Sequence, residues 1–342
     1  MQFYLNGFRP GDPGIDQAIE PRPQNLDQVD VLIVGCGPAG LTLAAQLSKF
    51  GDINVRIVER KSGPLEIGQA DGIACRSMEM FEAFGFAEKV AKEAYWVSEV
   101  TFWRPSLDSS GMARADRIQD VEDGLSEFPH TILNQARVHD FYLQVMKNSP
   151  RRLEPDYNLQ LSRVDLIHDE DYPVVATFDY VNVERQGATQ TVRARYLVGC
   201  DGARSTVRES LGLELKGESA RQLWGVMDVL AVTDFPDIRR KCAIQSAEHG
   251  SLMIIPREGG YMARLYIELD ELVGDERAAD RNVSAEALVE KAQSIFAPFS
   301  LSVKQVSWWS AYEIGQRVCC LLYTSDAADD RYKVLLWVGG GG

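Results

Sequence analysis

"VDVLIVGCGPAGLTLAAQL", residues 29–47, is the stretch on which the reading of the fold turns. An apolar, β-branched run to Val34 reads as a buried strand, and the Ala- and Leu-rich run to Leu47 reads as a helix. Between them Gly35, Gly37 and Gly40 are spaced GxGxxG. The first glycine permits a tight turn, the second lets a pyrophosphate reach the backbone, and the third lets helix and strand pack closely. The anion then sits on the helix N-terminus, where free N–H groups and the helix dipole favour it. A second apolar run, "NVRIVER", ends on Glu59, 19 residues beyond Gly40 and placed to accept from a ribose hydroxyl. Such an acid favours an unphosphorylated ribose, so NAD or FAD fits and NADP does not. Arg60 beside it reads equally as a cofactor contact or a solvated charge. The segment is a dinucleotide site opening a βαβ unit.

A second Gly-rich strand-to-helix turn follows much later, in "YLVGCDGARSTVRE" (196–209), without the full fingerprint. Asp201 there reads as a helix N-cap or as a ligand-facing acid, and the two roles can coexist.

Composition narrows the class. The 342 residues are ample for one large domain or two ordinary ones, and a net charge of −14 argues against nucleic acid, whose binding needs basic surface. The 6 cysteines form no CxxC pair and the 4 histidines no i,i+4 pair, so no metal site is expected and the thiols read as reduced and cytoplasmic. The N-terminus has no apolar core of signal-peptide length, and no apolar run approaches the ~18 residues of a membrane span.

Along the chain, residues 1–28 carry Pro10, Pro13, Pro21 and Pro23 and read as an extended arm on the body. Amphipathic patterning predicts helices over about 72–94, 134–148 and 284–297, with "EVTFWRP" a strand and a polar stretch after it to about 127. Alternation over 158–199 predicts an antiparallel meander feeding the second turn, and "WGVMDVLAVT", "KCAIQSA", "SLMIIPRE", "YMARLYIELD" and "VSWWSAYEIGQRV" read as further strands. The expected fold is α/β, a Rossmann-like nucleotide-binding part interleaved with a mostly antiparallel sheet. Its expected domains are a nucleotide part over 29–215, lending strands at about 99–118 to the other sheet, and a substrate part over 216–318.

"GQADGIACRSMEMFEAFG" (68–85) together with "YLVGCDGARSTVRE" strongly resembles the flavoprotein aromatic hydroxylases, single-component FAD and NAD(P)H monooxygenases. The likeness runs from "MQFYLNGFRPG" through "IIPREGG" to "WWSAYEIGQRV", about residues 1–318, and is nearest to hydroxylases of 3-hydroxybenzoate, with phenol hydroxylases next. It implies FAD at the first turn, and Asp201 and Gly202 as a motif serving both the flavin pyrophosphate and the approach of NADPH (or NADH). It implies that Arg76 reaches the pyrophosphate, that Gln135 bonds the ribityl chain, that Gln69 contacts the cofactor, and that Arg257 lies near the flavin. Asp71 and Tyr266 match the positions that address a phenolic hydroxyl. His130 and Lys241 match those that hold a ring carboxylate.

The implied reaction converts 3-hydroxybenzoate and O2 to 3,4-dihydroxybenzoate through a flavin C4a-hydroperoxide, in a soluble homodimer. A phenol or alkylphenol substrate and a non-catalytic nucleotide-binding fragment are the alternatives. The family's third flavin motif has no counterpart. After Val318 the chain reads "CCLLYTSDAADDRYKVLLWVGGGG", expected to be foreign to the fold and to leave FAD poorly held.

Overall fold

The computed structural model describes residues 2–4, 7–9, 14–19, 27–68, 70–106, 111–167, 170–271, 281, 283–319 and 334–336. The chain divides into two units, one formed by Met1–Ala70, Gln135–Lys216 and Cys319–Gly342, the other by Asp71–Asn134 and Gly217–Val318. The whole segment 71–134, and not only the strands near 99–118, therefore groups with the second unit. The reason is strand pairing: Glu99–Pro105, in this segment, pairs with Lys241–Gln245, and Met112–Gln119 pairs with it in turn.

The first unit is built on a sheet ordered Leu159–Leu166, Val174–Tyr180, Thr189–Gly199, Gln28–Val34, Val55–Val58. The first three strands are an antiparallel meander; Thr189–Gly199, Gln28–Val34 and Val55–Val58 run parallel. Burial on both faces explains the apolar run at 31–34 and the fully buried strand 55–58, where Arg56 is paired with Asp156, since parallel strands are covered from both sides. Pro38–Leu47 follows the glycine turn with Pro38 in the first turn, where its missing N–H costs nothing, and buries Gly40, Leu41, Ala44 and Ala45. Gln135–Lys147 packs beside it, burying Val138, His139, Phe141, Tyr142 and Met146. Within the expected arm, Gln2–Tyr4 pairs with Gly7–Arg9, and the Asp16 and Ile19 N–H groups donate to Asn148 and Pro150 carbonyls. Val334–Leu336 runs parallel to Leu197–Gly199, so three residues of the segment expected to be foreign lie on this sheet.

The second unit carries a seven-stranded sheet ordered Leu301–Cys319, Leu215–Thr233, Met262–Glu268, Ser251–Pro256, Lys241–Gln245, Glu99–Pro105, Met112–Gln119. Strand alternation sorts its residues onto two faces. Met227, Val229, Cys242, Ile244, Leu252, Ile254, Leu265 and Ile267 pack with Leu288, Ala292, Ile295 and Phe296 of the helix Ala285–Phe296. The opposite face presents the register row Phe102, Ala243, Met253, Tyr266, Val226, with Lys241 and the facing pair Arg264 and Asp228 on the next row. A small sheet, Gly72–Ile73, His130–Ile132 and Tyr95–Val97, belongs to the same unit.

One expected helix is two. Cys75–Ala83 stops and Ala87–Glu93 starts anew, because Gly85 takes φ +80°. The Phe86 N–H bonds the Phe81 carbonyl at 3.0 Å and the Gly85 N–H that of Glu82 at 2.9 Å, a Schellman stop sealed by stacked Phe81 and Phe86 rings. The polar stretch after "EVTFWRP" holds the edge strand Met112–Gln119, exposed along almost its whole length, which is why it lacks an apolar signature. Among the described residues no helix is long and apolar enough to cross a membrane, and no cluster of metal-ligating side chains occurs.

Candidate functional site

In the first unit the three glycines divide their work as the spacing implies. Gly35 has φ +101° and donates its N–H to Val58 O at 2.8 Å, and a Cβ there would stand 2.4 Å from the Cys200 carbonyl oxygen. A Cβ on Gly40 would stand 2.0 Å from the Gly35 carbonyl oxygen, so the helix approaches the strand only because that atom is missing. At Gly37 a Cβ would meet nothing within 4 Å: the space in front of the helix N-terminus is open, and no side chain caps that terminus. Glu59 is held facing the turn, Oε2 accepting from the Cys36 N–H at 2.9 Å and Oε1 from the Lys61 N–H at 3.0 Å.

Two cavities flank Glu59. One is lined by Gly35, Gly37, Glu59, Arg60, Asp201 and Gly202, joining the two Gly-rich turns in a single hollow. The other is lined by Gly37, Pro38, Glu59, Ile67, Gln135 and His139. The N-cap of the helix Thr206–Ser210 is Ser205, whose Oγ accepts from the Arg208 N–H at 3.0 Å, and not Asp201; Asp201 Oδ2 accepts from the Val207 N–H at 3.2 Å, while its Oδ1 is buried with no partner among the described residues. His139, 5% exposed, likewise has both ring nitrogens unpartnered, and burial lowers its pKa toward the neutral form. Burial also pushes the Cys36 and Cys200 thiols up to about 12, so neither is a nucleophile. An uncapped helix N-terminus, open space at Gly37, an acid facing the turn and unpartnered groups beside the hollow fit a dinucleotide such as FAD. Gln69 lies outside the described residues. Arg76 is in the second unit, on an exposed face of Cys75–Ala83, with Nη1 2.9 Å from Glu79.

The second unit holds the other candidates, in two clusters. Asp71 is almost fully buried; Arg257 Nη1 donates to its Oδ2, and Arg264 Nη1 lies 3.2 Å from the same oxygen. No described residue bonds Oδ1. Burial raises the Asp71 pKa, against the pull of Arg264 and Arg257. Arg257 is shared with Glu258, whose Oε1 is 2.9 Å from Nη2 and also takes the Asn134 N–H at 3.2 Å.

Arg264, 1% exposed, was not singled out from the sequence. Its Nε and Nη2 fork onto Asp228 at 2.7 and 2.8 Å, its guanidinium lies 5.1 Å from the Trp308 ring centre, and its charge draws the Tyr266 pKa down. Burial, then the nearby Asp71 charge, raises the Tyr266 pKa. The signal was period two: Arg264 precedes Tyr266 by two residues and shares its face of the sheet.

His130 and Lys241 also meet, through a residue that sequence reasoning passed over. Asp120, following the edge strand, takes His130 Nδ1 on Oδ2 and Lys241 Nζ on Oδ1, each at 2.7 Å. Desolvation would raise the Asp120 pKa, but the Lys241 and His130 hydrogen bonds outweigh it and hold the carboxyl below its ordinary value. Lys241 and Tyr266 share a face, two strands and two residues apart, which is ~12 Å from strand spacing and rise.

The chain matches the model of the FAD binding domain family over residues 28–323. It is 60% identical over 325 residues to the 3-hydroxybenzoate 4-monooxygenase of Comamonas testosteroni, covering 93% of this chain and 51% of that protein. It is 42% identical over 299 residues to the FAD-dependent monooxygenase terD of Aspergillus terreus (84% and 46%), and 35% identical over 292 to the phenol 2-monooxygenase fsqG of Aspergillus fumigatus (85% and 47%). The chain thus spans about half the length of these curated relatives. In fold it resembles p-nitrophenol 4-monooxygenase from Pseudomonas putida, with TM-score 0.71 at 20% identity over 91% of this chain and 72% of that one. It also resembles the flavin-dependent monooxygenase PieE in complex with FAD and substrate, with TM-score 0.68 at 22% identity over 90% and 52%.

Proposed function

The chain belongs to the FAD binding domain family and has FAD-dependent aromatic monooxygenases as relatives, and on that premise we propose that it serves the hydroxylation of 3-hydroxybenzoate to 3,4-dihydroxybenzoate. NADPH is the reductant in this reading, with NADH as the alternative. What supports it is that Tyr266 and Lys241 share one face of the seven-stranded sheet, with Asp71 joined to Arg264 beside the first and His130 joined through Asp120 to the second. Their ~12 Å separation suits a ring bearing a hydroxyl on one side and a carboxylate on the other, with a hydrogen bond at each end.

FAD, when bound and reduced, supplies the activated oxygen; Gly35, Gly37, Gly40, Glu59, Asp201 and Gln135 are the residues that would hold it. The rest of the work falls to the second unit. A phenol ionises only near pH ~10, so its ring is a weak nucleophile until the hydroxyl proton is drawn away. Asp71 Oδ1 accepts that proton in a hydrogen bond. Its raised pKa makes it a stronger base than an exposed carboxylate, while two arginines on Oδ2 keep it from turning aside. Tyr266 bonds the same ring oxygen, positioned by Arg264. Val97, Ile132 and Ile255, with Met253 packed on them, form an apolar wall against water.

A second reading, a phenol without a carboxylate, is favoured by Asp120, which already cancels the Lys241 charge. The test is substrate-stimulated NADPH consumption and catechol formation by the FAD-supplied chain. Lys241→Met and His130→Leu should abolish turnover of 3-hydroxybenzoate and spare that of phenol. Unchanged preference in both variants would sink the carboxylate reading.

A further inference from the structure

One buried side chain of the first unit has polar atoms that the fold does not use. His139, on the helix Gln135–Lys147, is 5% exposed, and no described residue bonds either of its ring nitrogens. Burial favours the neutral ring, which carries one N–H donor and one lone pair. Buried polar groups are seldom left unmade in folded chains, because each costs its full desolvation. The charged side chains near the ring are engaged elsewhere: Asp140 with Arg137 at 2.9 Å, and Glu59 with the Cys36 and Lys61 N–H groups.

The surroundings say what the ring can meet. His139 lines a hollow of ≈ 320 Å³ together with Gln135 one turn earlier on its own helix, with Gly37 and Pro38 at the start of Pro38–Leu47, and with Glu59. A single water needs only ~15 Å³ of such space, so the hollow admits something larger. The two helices are in register. Thr42 Oγ1 and the Tyr142 hydroxyl are hydrogen-bonded at 2.9 Å, and about a turn earlier on each helix lie Pro38 and His139, both on the hollow. His139 therefore stands level with the N-terminus of Pro38–Leu47, which no side chain caps and where Gly37 leaves open space. That terminus favours an anion, and the anionic part of FAD is its diphosphate.

We propose that His139 is a cofactor-binding residue whose ring N–H donates to a diphosphate oxygen of FAD, in the hollow between Glu59 and Gln135. The inference rests on the glycine turn as the FAD site and is independent of which aromatic compound is hydroxylated. The glycine turn offers the diphosphate backbone donors alone; His139 adds a side-chain donor from a second helix. The imidazole gives up stability of the ligand-free chain in exchange for grip on the cofactor.

The test compares the unaltered chain with His139→Leu in three measurements: FAD titration by flavin fluorescence, calorimetric titration with ADP, and the thermal transition without ligand. ADP shares the diphosphate and lacks the flavin. His139→Leu should weaken both FAD and ADP by ~10-fold or more, the worth of one hydrogen bond to a charged group. Its ligand-free transition should stay level or rise, because the substitution removes unpartnered buried atoms. A histidine that only supports the fold gives the reverse. Affinities within about threefold of the unaltered chain's overturn the proposal, as does a loss that accompanies a lowered ligand-free transition. A loss confined to FAD puts the ring at the flavin and overturns it too. His139→Asn and His139→Gln keep an N–H donor at the reach of Nδ1 and of Nε2; one of them should restore affinity to within about threefold, and recovery by neither overturns the assignment. An unaltered chain that binds neither FAD nor ADP overturns the dinucleotide site and the inference with it. Absence of 3-hydroxybenzoate turnover with these titrations as expected falls on the proposed reaction alone.

Discussion

Replacing Arg264 by Met tests whether the buried pair with Asp228 organises the hydroxyl end of the site. Arg264 is 1% exposed, forks onto Asp228 at 2.7 and 2.8 Å and lies 3.2 Å from Asp71. Removing the cation strands one buried carboxylate and weakens the support of another, a loss of about 3–5 kcal/mol for a broken buried pair. With a urea m-value of ~3 kcal/mol/M, the transition of the second unit should fall by ~1–2 M. Asp228→Leu alone should cost less, because Arg264 keeps its contacts with Asp71 and the Trp308 ring. The double variant, with no stranded charge at that pair, should be at least ~2 kcal/mol more stable than the sum of the two losses implies. Urea unfolding followed by tryptophan fluorescence gives all four corners of the cycle. A loss below about 1 kcal/mol for Arg264→Met, or strict additivity in the double variant, would refute the reasoning.

The remaining expectations concern both units. Gly40→Ala should destabilise the first unit, since its Cβ would lie 2.0 Å from a backbone oxygen, whereas Gly37→Val should leave the thermal transition nearly unchanged because that space is open; circular dichroism melting separates them. Asp71→Asn should lower kcat/KM for 3-hydroxybenzoate by ~10²–10⁴, the usual worth of a positioned proton acceptor, as read by catechol formation. Asp237, buried with Trp103, Arg114 and Arg240 around it, is depressed in pKa despite desolvation by the hydrogen bonds those groups donate. A carboxyl depressed in the folded state lends stability above its unfolded pKa of ~3.9 and loses it as pH falls through the folded value. Asp237→Asn should therefore flatten the fall in urea midpoint below about pH 4, and an unchanged acid slope would contradict this assignment.

What was legible in the sequence follows from how local the cause is. The Gly35, Gly37 and Gly40 turn and Glu59 were readable because backbone sterics and one strand's length set them, within a single βαβ unit. Asp71, Tyr266, His130 and Lys241 were named only through resemblance, since each alone looks like an ordinary polar residue. Arg264 and Asp228 were missed because charges on a strand read as solvated, and only the pairing of Met262–Glu268 with Leu215–Thr233 buries them together. Asp120 was hidden in a polar stretch whose strand is exposed, and its partners lie 10 and 121 residues away. The break at Gly85 was available in the run "FEAFGFAEK", where a glycine between two aromatic residues marks a Schellman stop, yet the amphipathic pattern on either side carried the reading through it.

Equilibrium titration of FAD by flavin fluorescence tests the central claim most directly, performed on the chain as it stands and on Gly37→Val. The account predicts one saturable site per chain in the unaltered protein, weak because the third flavin motif has no counterpart. In the variant, whose added side chain fills the space before the helix N-terminus without disturbing the fold, affinity should fall at least ~10-fold. No saturable binding, or a Gly37→Val curve that overlays the unaltered one, would contradict it.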